Sequence, residues 1–459
     1  MQIIRNAALV AAPLLAMLVG MLVSWQGVGT AGAPWVAGIT TLTALWWIFE
    51  PIPIPVTSLL PLALLPLLGI LSPGEVGESV GSPLILLLMG GFMLSTAMAR
   101  SGAHRRLALN AVRAFGRGGG RSLVFGFVTV SAGLSMWISN TATVLMLLPI
   151  VMAIIEKTDD RALQRGLLLG IAYAGSVGGI GTPVGTPPNL IFLRVYQETT
   201  GTEVGFLSWM GFAIPVVLVL VPFIALWLTR GISTREKIDI PSAGPWRAEE
   251  IRTLAIFGMT AFAWITRTEP GGGWSEWFAL PGANDASVAL LAVVLMCLVP
   301  NGRGGRLLDW ETASQIPWGI LLLFGSGIAI AKGFAATGIS ASLGEALAGL
   351  SALPPWLLIG AICVMVTYLT EVTSNTATTA LLMPILAAAG VAAGLDPRLL
   401  MAPAAMTASC AFMLPVATGP NAVVFSSGRL SIREMAREGF VINLVAVGVV
   451  TAVASLLLL

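Results

Sequence analysis

Charge is scarce in this chain: of 459 residues only 10% are Asp, Glu, Lys or Arg, against roughly 25% in a soluble domain. With 56% of residues hydrophobic, that scarcity excludes a soluble fold, and nucleic acid is not an expected partner. Cysteine is nearly missing too. Cys297, Cys363 and Cys410 lie singly in apolar stretches, without the paired spacing of a disulfide framework or a zinc site. Histidine occurs once, as His104, in a basic amphipathic segment. The polar centres of the chain therefore lack the base that nucleophilic catalysis by a serine requires, and the chain reads as no enzyme.

What charge there is has a pattern. Of the 24 Lys and Arg, all but Arg194, Arg267, Lys332 and Arg398 fall at Arg5, Arg100 to Arg121, Lys157 to Arg165, Arg230 to Arg252, Arg303 with Arg306, and Arg429 to Arg437. Basic residues of short loops mark the cytoplasmic side, so the N-terminus is expected inside. Apolar runs long enough to cross a hydrocarbon core of ~30 Å stand at about 7–25, 34–50, 55–71 and 83–99. The first resembles a signal peptide in outline, but its run from Ala7 to Val23 is longer than a usual h-region, and a retained span is expected. Further crossings are read from Leu167 outward, at 206–229, 253–266, 286–299 and 317–335, through the helix interrupted at Ala417 to Asn421, and at 440–458, which leaves the C-terminus outside.

The polar stretch Ser139-Asn140-Thr141-Ala142-Thr143 recurs letter for letter as Ser374-Asn375-Thr376-Ala377-Thr378, and Pro149 answers Pro384 at the same shift of 235 residues. Each copy lies inside an apolar segment, where an unpaired hydroxyl or amide costs several kcal/mol. The segment from Arg121 to Glu156 is too long for one crossing, a little short for two, and basic at both ends. A re-entrant helical hairpin entering from the cytoplasm fits it, with Ser139 to Thr141 at the tip. Five crossings later the second hairpin, Pro354 to Gly390, must enter from outside, so the halves form an inverted repeat. Each hairpin precedes an interrupted helix. Gly178-Gly179-Ile180-Gly181-Thr182-Pro183-Val184-Gly185-Thr186-Pro187-Pro188-Asn189 cannot continue an α-helix, and Ala417-Thr418-Gly419-Pro420-Asn421 answers its last five residues at a shift of 232.

Inverted repeats, polar hairpin tips and two interrupted helices are the marks of a secondary transporter's binding site. Half-helix N-termini suit anions, and C-termini and unwound carbonyls suit cations. No Lys or Arg lies at the tips or breaks, so a carboxylate there must meet Asn and Thr side chains, backbone N–H groups and any co-bound cation. A cation beside each tip would offset the repulsion of a dianion in a low-dielectric site.

The paired Ser-Asn-Thr tips, Gly185-Thr186-Pro187-Pro188-Asn189, Ser409-Cys410-Ala411-Phe412-Met413-Leu414-Pro415 and Glu50-Pro51-Ile52-Pro53 resemble the divalent anion:sodium symporter family over nearly the whole chain. The resemblance implies an all-α polytopic membrane protein of about 11 transmembrane helices plus two re-entrant hairpins, working as an elevator and assembling as a homodimer in the bacterial inner membrane. It implies a scaffold from 1–117 and 241–353, and a transport unit from 118–240 and 354–459. It also implies co-transported sodium as the only cofactor-like species. One sodium site would use Ser135, Ser139, Asn140 and backbone near Gly185; its partner would use Thr370, Ser374, Asn375 and backbone near Ala417. Substrate carboxylates would meet Asn140, Thr141, Asn375, Thr376, Thr418 and Gly419, the last standing where family members commonly have proline. The implied cargo is a C4 dicarboxylate such as succinate, malate or fumarate, with citrate, sulfate and phosphate as alternatives.

Three other readings compete. An intramembrane hydrolase with Ser139 or Ser374 as nucleophile lacks its base. A channel does not need paired broken helices. A sodium-independent exchanger of the same fold is opposed by the hydroxyl and amide residues kept at both cation positions. Glu371, three residues before Ser374, is either a proton or cation ligand or a brace for the hairpin, because an intramembrane carboxylate is usually functional.

Overall fold

The computed structural model describes residues 2–115, 119–233, 244–268, 272–342 and 354–458. Among them the chain is helical, with one isolated bridge between Pro300 and Arg306 and no named strand. Arg5–Trp25, Pro73–Ser101, Phe206–Leu228, Trp318–Thr337, Asn375–Ala392 and Ile432–Leu457 are long and apolar enough to cross a membrane. Ala33–Phe49, Ile54–Leu67, Asn140–Ile155, Asp285–Leu298 and Pro355–Thr370 are shorter apolar helices. Large apolar side chains such as Met21, Leu218, Leu291 and Leu456 face outward from these helices, as they do where lipid replaces water. The chain is a multi-pass membrane protein.

The third expected span differs from a continuous crossing. Its helix, Ile54–Leu67, is interrupted by a turn at Ser58 between Ile54–Thr57 and Leu59–Leu67, since Pro61 cannot donate to the Thr57 carbonyl and crowds it. Ser58 sits at the junction, donating to the Ile54 carbonyl and accepting from Trp47 Nε1.

The centre is the helix Arg161–Ile180, whose residues from Leu163 to Ile180 are buried except Arg165. Small residues let neighbours come close: a Cβ on Gly178 would overlap the Ala132 backbone, and one on Gly170 would press on Val128. This helix packs on Gly120–Ser135, Asn140–Ile155, Phe206–Leu228 and Gly419–Phe425. In the second half Arg398–Ala408, buried from Leu399 onward, packs on Pro355–Thr370, Asn375–Ala392 and Ile432–Leu457. Helices Pro83–Ser101, Gly120–Ser135, Asn140–Ile155, Arg161–Ile180 and Pro187–Thr200 are answered in order by Trp318–Thr337, Pro355–Thr370, Asn375–Ala392, Arg398–Ala408 and Gly419–Phe425.

The amphipathic segment after Arg100 is a helix, Ala103–Phe115. Buried Arg106 latches it, donating from Nε to Glu250 Oε2 at 2.6 Å and to the Gly244 and Pro245 carbonyls. His104 Nδ1 donates to the Met98 carbonyl, and burial lowers the pKa of its ring below the ordinary histidine value. The unit boundaries expected at 117/118 and 240/241 lie outside the described residues, and the one at 353/354 lies at their edge.

Candidate functional site

Both polar pentapeptides form the same local structure. Helix Gly120–Ser135 turns through residues 136–139 into Asn140–Ile155, and Pro355–Thr370 turns through 371–374 into Asn375–Ala392. At each tip the residue ending the first arm holds the asparagine opening the second. Ser135 Oγ donates to Asn140 Oδ1 at 2.7 Å, and Thr370 Oγ1 donates to Asn375 Oδ1 at 2.6 Å, with the Ala408 carbonyl 3.1 Å away. Ser139 and Ser374 occupy the N-cap positions, yet neither side chain caps its helix. A serine there ordinarily satisfies an N–H of the first turn, so these N–H groups and both hydroxyls stay available to a ligand, with the positive helix end behind them.

The interrupted helices repeat as closely. After Ile180 the chain leaves helix until Pro187, and after Ala408 until Gly419. Thr186 and Thr418 both sit extended before the restart, at φ −147° ψ 143° and φ −139° ψ 154°. Asn189 Nδ2 donates across the first break to the carbonyls of Gly179 and Thr182, and Asn421 Nδ2 crosses the second to Ala411 and Leu414. These partners map onto one another at the shift of 232, and Asn189 Nδ2 adds a longer bond of 3.3 Å to the Ile180 carbonyl. Each asparagine is buried and leaves its Oδ1 without a protein partner.

Tips and breaks meet on one cavity of about 950 Å³. Its wall includes Ser139, Asn140, Thr141, Gly185, Ser374, Asn375, Thr376, Ala417, Thr418 and Gly419. Ser135 and Thr370 are fully buried behind the asparagines instead of on the wall. The halves touch directly, since a Cβ on Gly419 would overlap Thr141 Oγ1; within the first half one on Gly179 would overlap Asn140 Oδ1. Helix starts at Asn140, Asn375 and Pro187 and helix ends at Ser135, Thr370, Ile180 and Ala408 thus lie on or beside one space. It offers N–H groups to an anion and carbonyl, amide and hydroxyl oxygens to cations. The tips and breaks themselves present hydroxyl, amide and carbonyl oxygens and no carboxylate, so a cation held between them would meet neutral oxygens, suited to a hard monovalent ion.

Several features were not singled out from sequence. Thr186 lines the cavity beside its counterpart Thr418, and the shift of 232 was the signal that could have found it. Ser409 Oγ, at the start of the second break, is buried without a partner. Arg5 and Glu50, 3.6 Å apart, also line the cavity, so a guanidinium does reach the space although none stands at the tips or breaks; only folding brings the N-terminal helix there. Glu371 resolves as a brace. It accepts from the N–H groups of Phe412, Met413 and Leu414 at 2.8, 2.9 and 3.0 Å and from Asn443 Nδ2 at 2.7 Å, and it does not line the cavity.

A membrane-embedded helical fold whose duplicated polar turns and interrupted helices close on one central space defines a secondary transporter. More narrowly, the chain belongs to the citrate transporter family, whose model matches residues 44–402. It is 38% identical to the sodium-dependent dicarboxylate transporter SdcS of Staphylococcus saprophyticus, over 97% of this chain and 90% of that protein. To SdcS of Staphylococcus aureus strain USA300 it is 39% identical, over 92% and 84%. Among solved structures it shares its fold with the YdaH transporter of Alcanivorax borkumensis, at a TM-score of 0.62 and 14% identity over 84% of this chain and 87% of that one. MtrF of Neisseria gonorrhoeae gives 0.61 and 15%, over 86% and 84%.

Proposed function

We propose that this protein is a sodium-coupled symporter that imports C4 dicarboxylates such as succinate, malate or fumarate across the bacterial inner membrane by alternating access. The observation that carries the reading is the convergence of both Ser-Asn-Thr tips and both helix breaks on one cavity, in a chain 38% identical to a relative named for sodium and dicarboxylate. In this reading Asn140, Thr141, Asn375, Thr376, Thr418 and Gly419 receive the carboxylates. Ser135, Ser139, Asn140 and the Gly185 backbone receive one sodium ion; Thr370, Ser374, Asn375 and the Ala417 backbone receive another. The two tip helices belong to re-entrant hairpins of opposite sense, the N-terminus is cytoplasmic, and the C-terminus is periplasmic or extracellular. The helices around Arg161–Ile180 and Arg398–Ala408 move as a unit against a dimeric scaffold.

The test is uptake of labelled succinate into proteoliposomes under an inward sodium gradient against an equal potassium gradient, with and without internal succinate. Sodium-driven accumulation into empty vesicles is expected. Uptake indifferent to sodium but dependent on internal succinate would replace symport by exchange. Citrate is the second reading, favoured by the description of the matching family, and it is tested as a competitor in the same vesicles.

A further inference from the structure

We propose that the basic end of helices Arg161–Ile180 and Ile432–Leu457 carries a second binding site, for the phosphate headgroup of an anionic phospholipid. A separate cavity of about 490 Å³ lies there, lined by Arg165, Ser431, Arg433, Glu434, Arg437 and Glu438. Its two carboxylates are already engaged. Glu434 accepts from Ser431 N and Oγ in a capping box. Glu438 accepts from Trp227 Nε1 at 2.8 Å and stands 3.6 and 3.7 Å from Arg165 and Arg230. The guanidiniums are underused: Arg165 Nε is buried without a hydrogen-bond partner, and Arg433 and Arg437 form no ion pair among the described residues. Two guanidiniums without an ion pair, and the free Nε of a third, around a cavity whose carboxylates are already bonded match a phosphodiester, which guanidinium recognises through parallel N–H donors.

A lipid is favoured over a soluble phosphate by what continues from the site. On Ile432–Leu457 one exposed face reads Arg433, Arg437, Phe440, Leu444, basic for two turns and apolar beyond. On the neighbouring helix Phe206–Leu228 the exposed Leu218, Val219 and Leu226 lead to Arg230, whose guanidinium stacks on Trp227. Both helices thus offer charge at headgroup level and an apolar surface where acyl chains would lie. The same helices support the central site, because Met435 O accepts from Tyr173 and Asn443 donates to Glu371. Occupancy would therefore stiffen the frame that holds the second break.

The test is native mass spectrometry of the full-length protein in detergent, with dioleoylphosphatidylglycerol or dioleoylphosphatidylcholine added. Phosphatidylglycerol adducts are expected to be preferred, and Arg433→Gln with Arg437→Gln should weaken that preference about 30-fold, at roughly a fivefold factor per basic residue. The pair Arg433→Lys with Arg437→Lys, which keeps the charge, should retain most of it. Should the double Gln variant not fold, Arg437→Gln alone should cost about fivefold. Equal retention of the two lipids, or unchanged phosphatidylglycerol adducts in a folded Gln variant, would overturn the proposal. So would displacement of the lipid by millimolar inorganic phosphate, which would assign the site to a soluble anion.

Discussion

The two helix breaks start from related sequences and are held in different ways. The first spans six residues, 181–186, and the second ten, 409–418. In the short break local turns satisfy much of the backbone: Gly181 N–H donates to Gly178 and Gly185 N–H to Thr182. Thr182 Oγ1 ties it to the hairpin turn through the Met136 carbonyl. The long break has three successive N–H groups, of Phe412, Met413 and Leu414, pointing one way. Position 371, which corresponds to 136, supplies a buried carboxylate that takes all three. One residue further on, Trp137 packs on Phe206 and Phe257, whereas its counterpart Val372 is exposed. Duplication therefore preserved the cavity-lining tips while the contacts at positions 136/371 and 137/372 behind them diverged, since such a support needs only to satisfy its own surroundings.

The largest expected effect tests that divergence. Glu371→Ala strips an acceptor from the buried Phe412 N–H, from the part-buried Met413 and Leu414 N–H groups and from Asn443, at up to about 1–3 kcal/mol for each orphaned group. Loss of uptake and a large fall in thermal stability are expected, whereas Met136→Ala keeps its carbonyl and should change either little. Similar behaviour of the two variants would show that the carboxylate is not the support described.

Next come the shared atoms. Asn140→Ala leaves the buried Ser135 hydroxyl without its acceptor, Asn375→Ala leaves the Thr370 hydroxyl only the Ala408 carbonyl, and each removes a wall amide. Each should lower sodium-driven uptake about 100-fold, the equivalent of ~2.7 kcal/mol. If one variant keeps its sodium dependence and the other loses it, the tips are not equivalent.

A smaller contrast lies where the halves differ by one methyl group. Gly179→Ala would drive a Cβ into Asn140 Oδ1 and should cost roughly tenfold in uptake, within the ~1–3 kcal/mol typical of overpacking. Ala411→Gly at the matching position only removes a methyl and should cost less. The smallest effect concerns Gly419, whose counterpart is Pro187. Gly419→Ala should displace the Thr141 side chain and raise the KM for succinate about threefold with little change in maximal rate, a loss below ~1 kcal/mol. A large fall in maximal rate would instead show that the contact of Gly419 with Thr141 limits turnover and not substrate binding.

By itself the sequence determined the membrane class, the duplicated order of elements, both tips and both breaks. These depend on local causes: apolar run length, the inability of Gly and Pro clusters to continue a helix, and a polar pentapeptide repeated where burial is costly. The division of the third span was less legible, because an apolar run with three prolines still reads as long enough to cross. Tertiary structure alone decided which polar atoms face the cavity and which stand behind it. Ser135 and Thr370 came to stand behind Asn140 and Asn375, each donating to the asparagine Oδ1, Arg5 and Glu50 arrived at the wall from the N-terminal helices, and Gly419 met Thr141 across the repeat. It also turned Glu371 from two open roles into a brace, since the three N–H groups it accepts lie about forty residues further along the chain. Hydropathy and helix propensity act over a few turns, whereas a hydrogen bond between distant segments depends on how whole helices pack, and local sequence does not encode that distance.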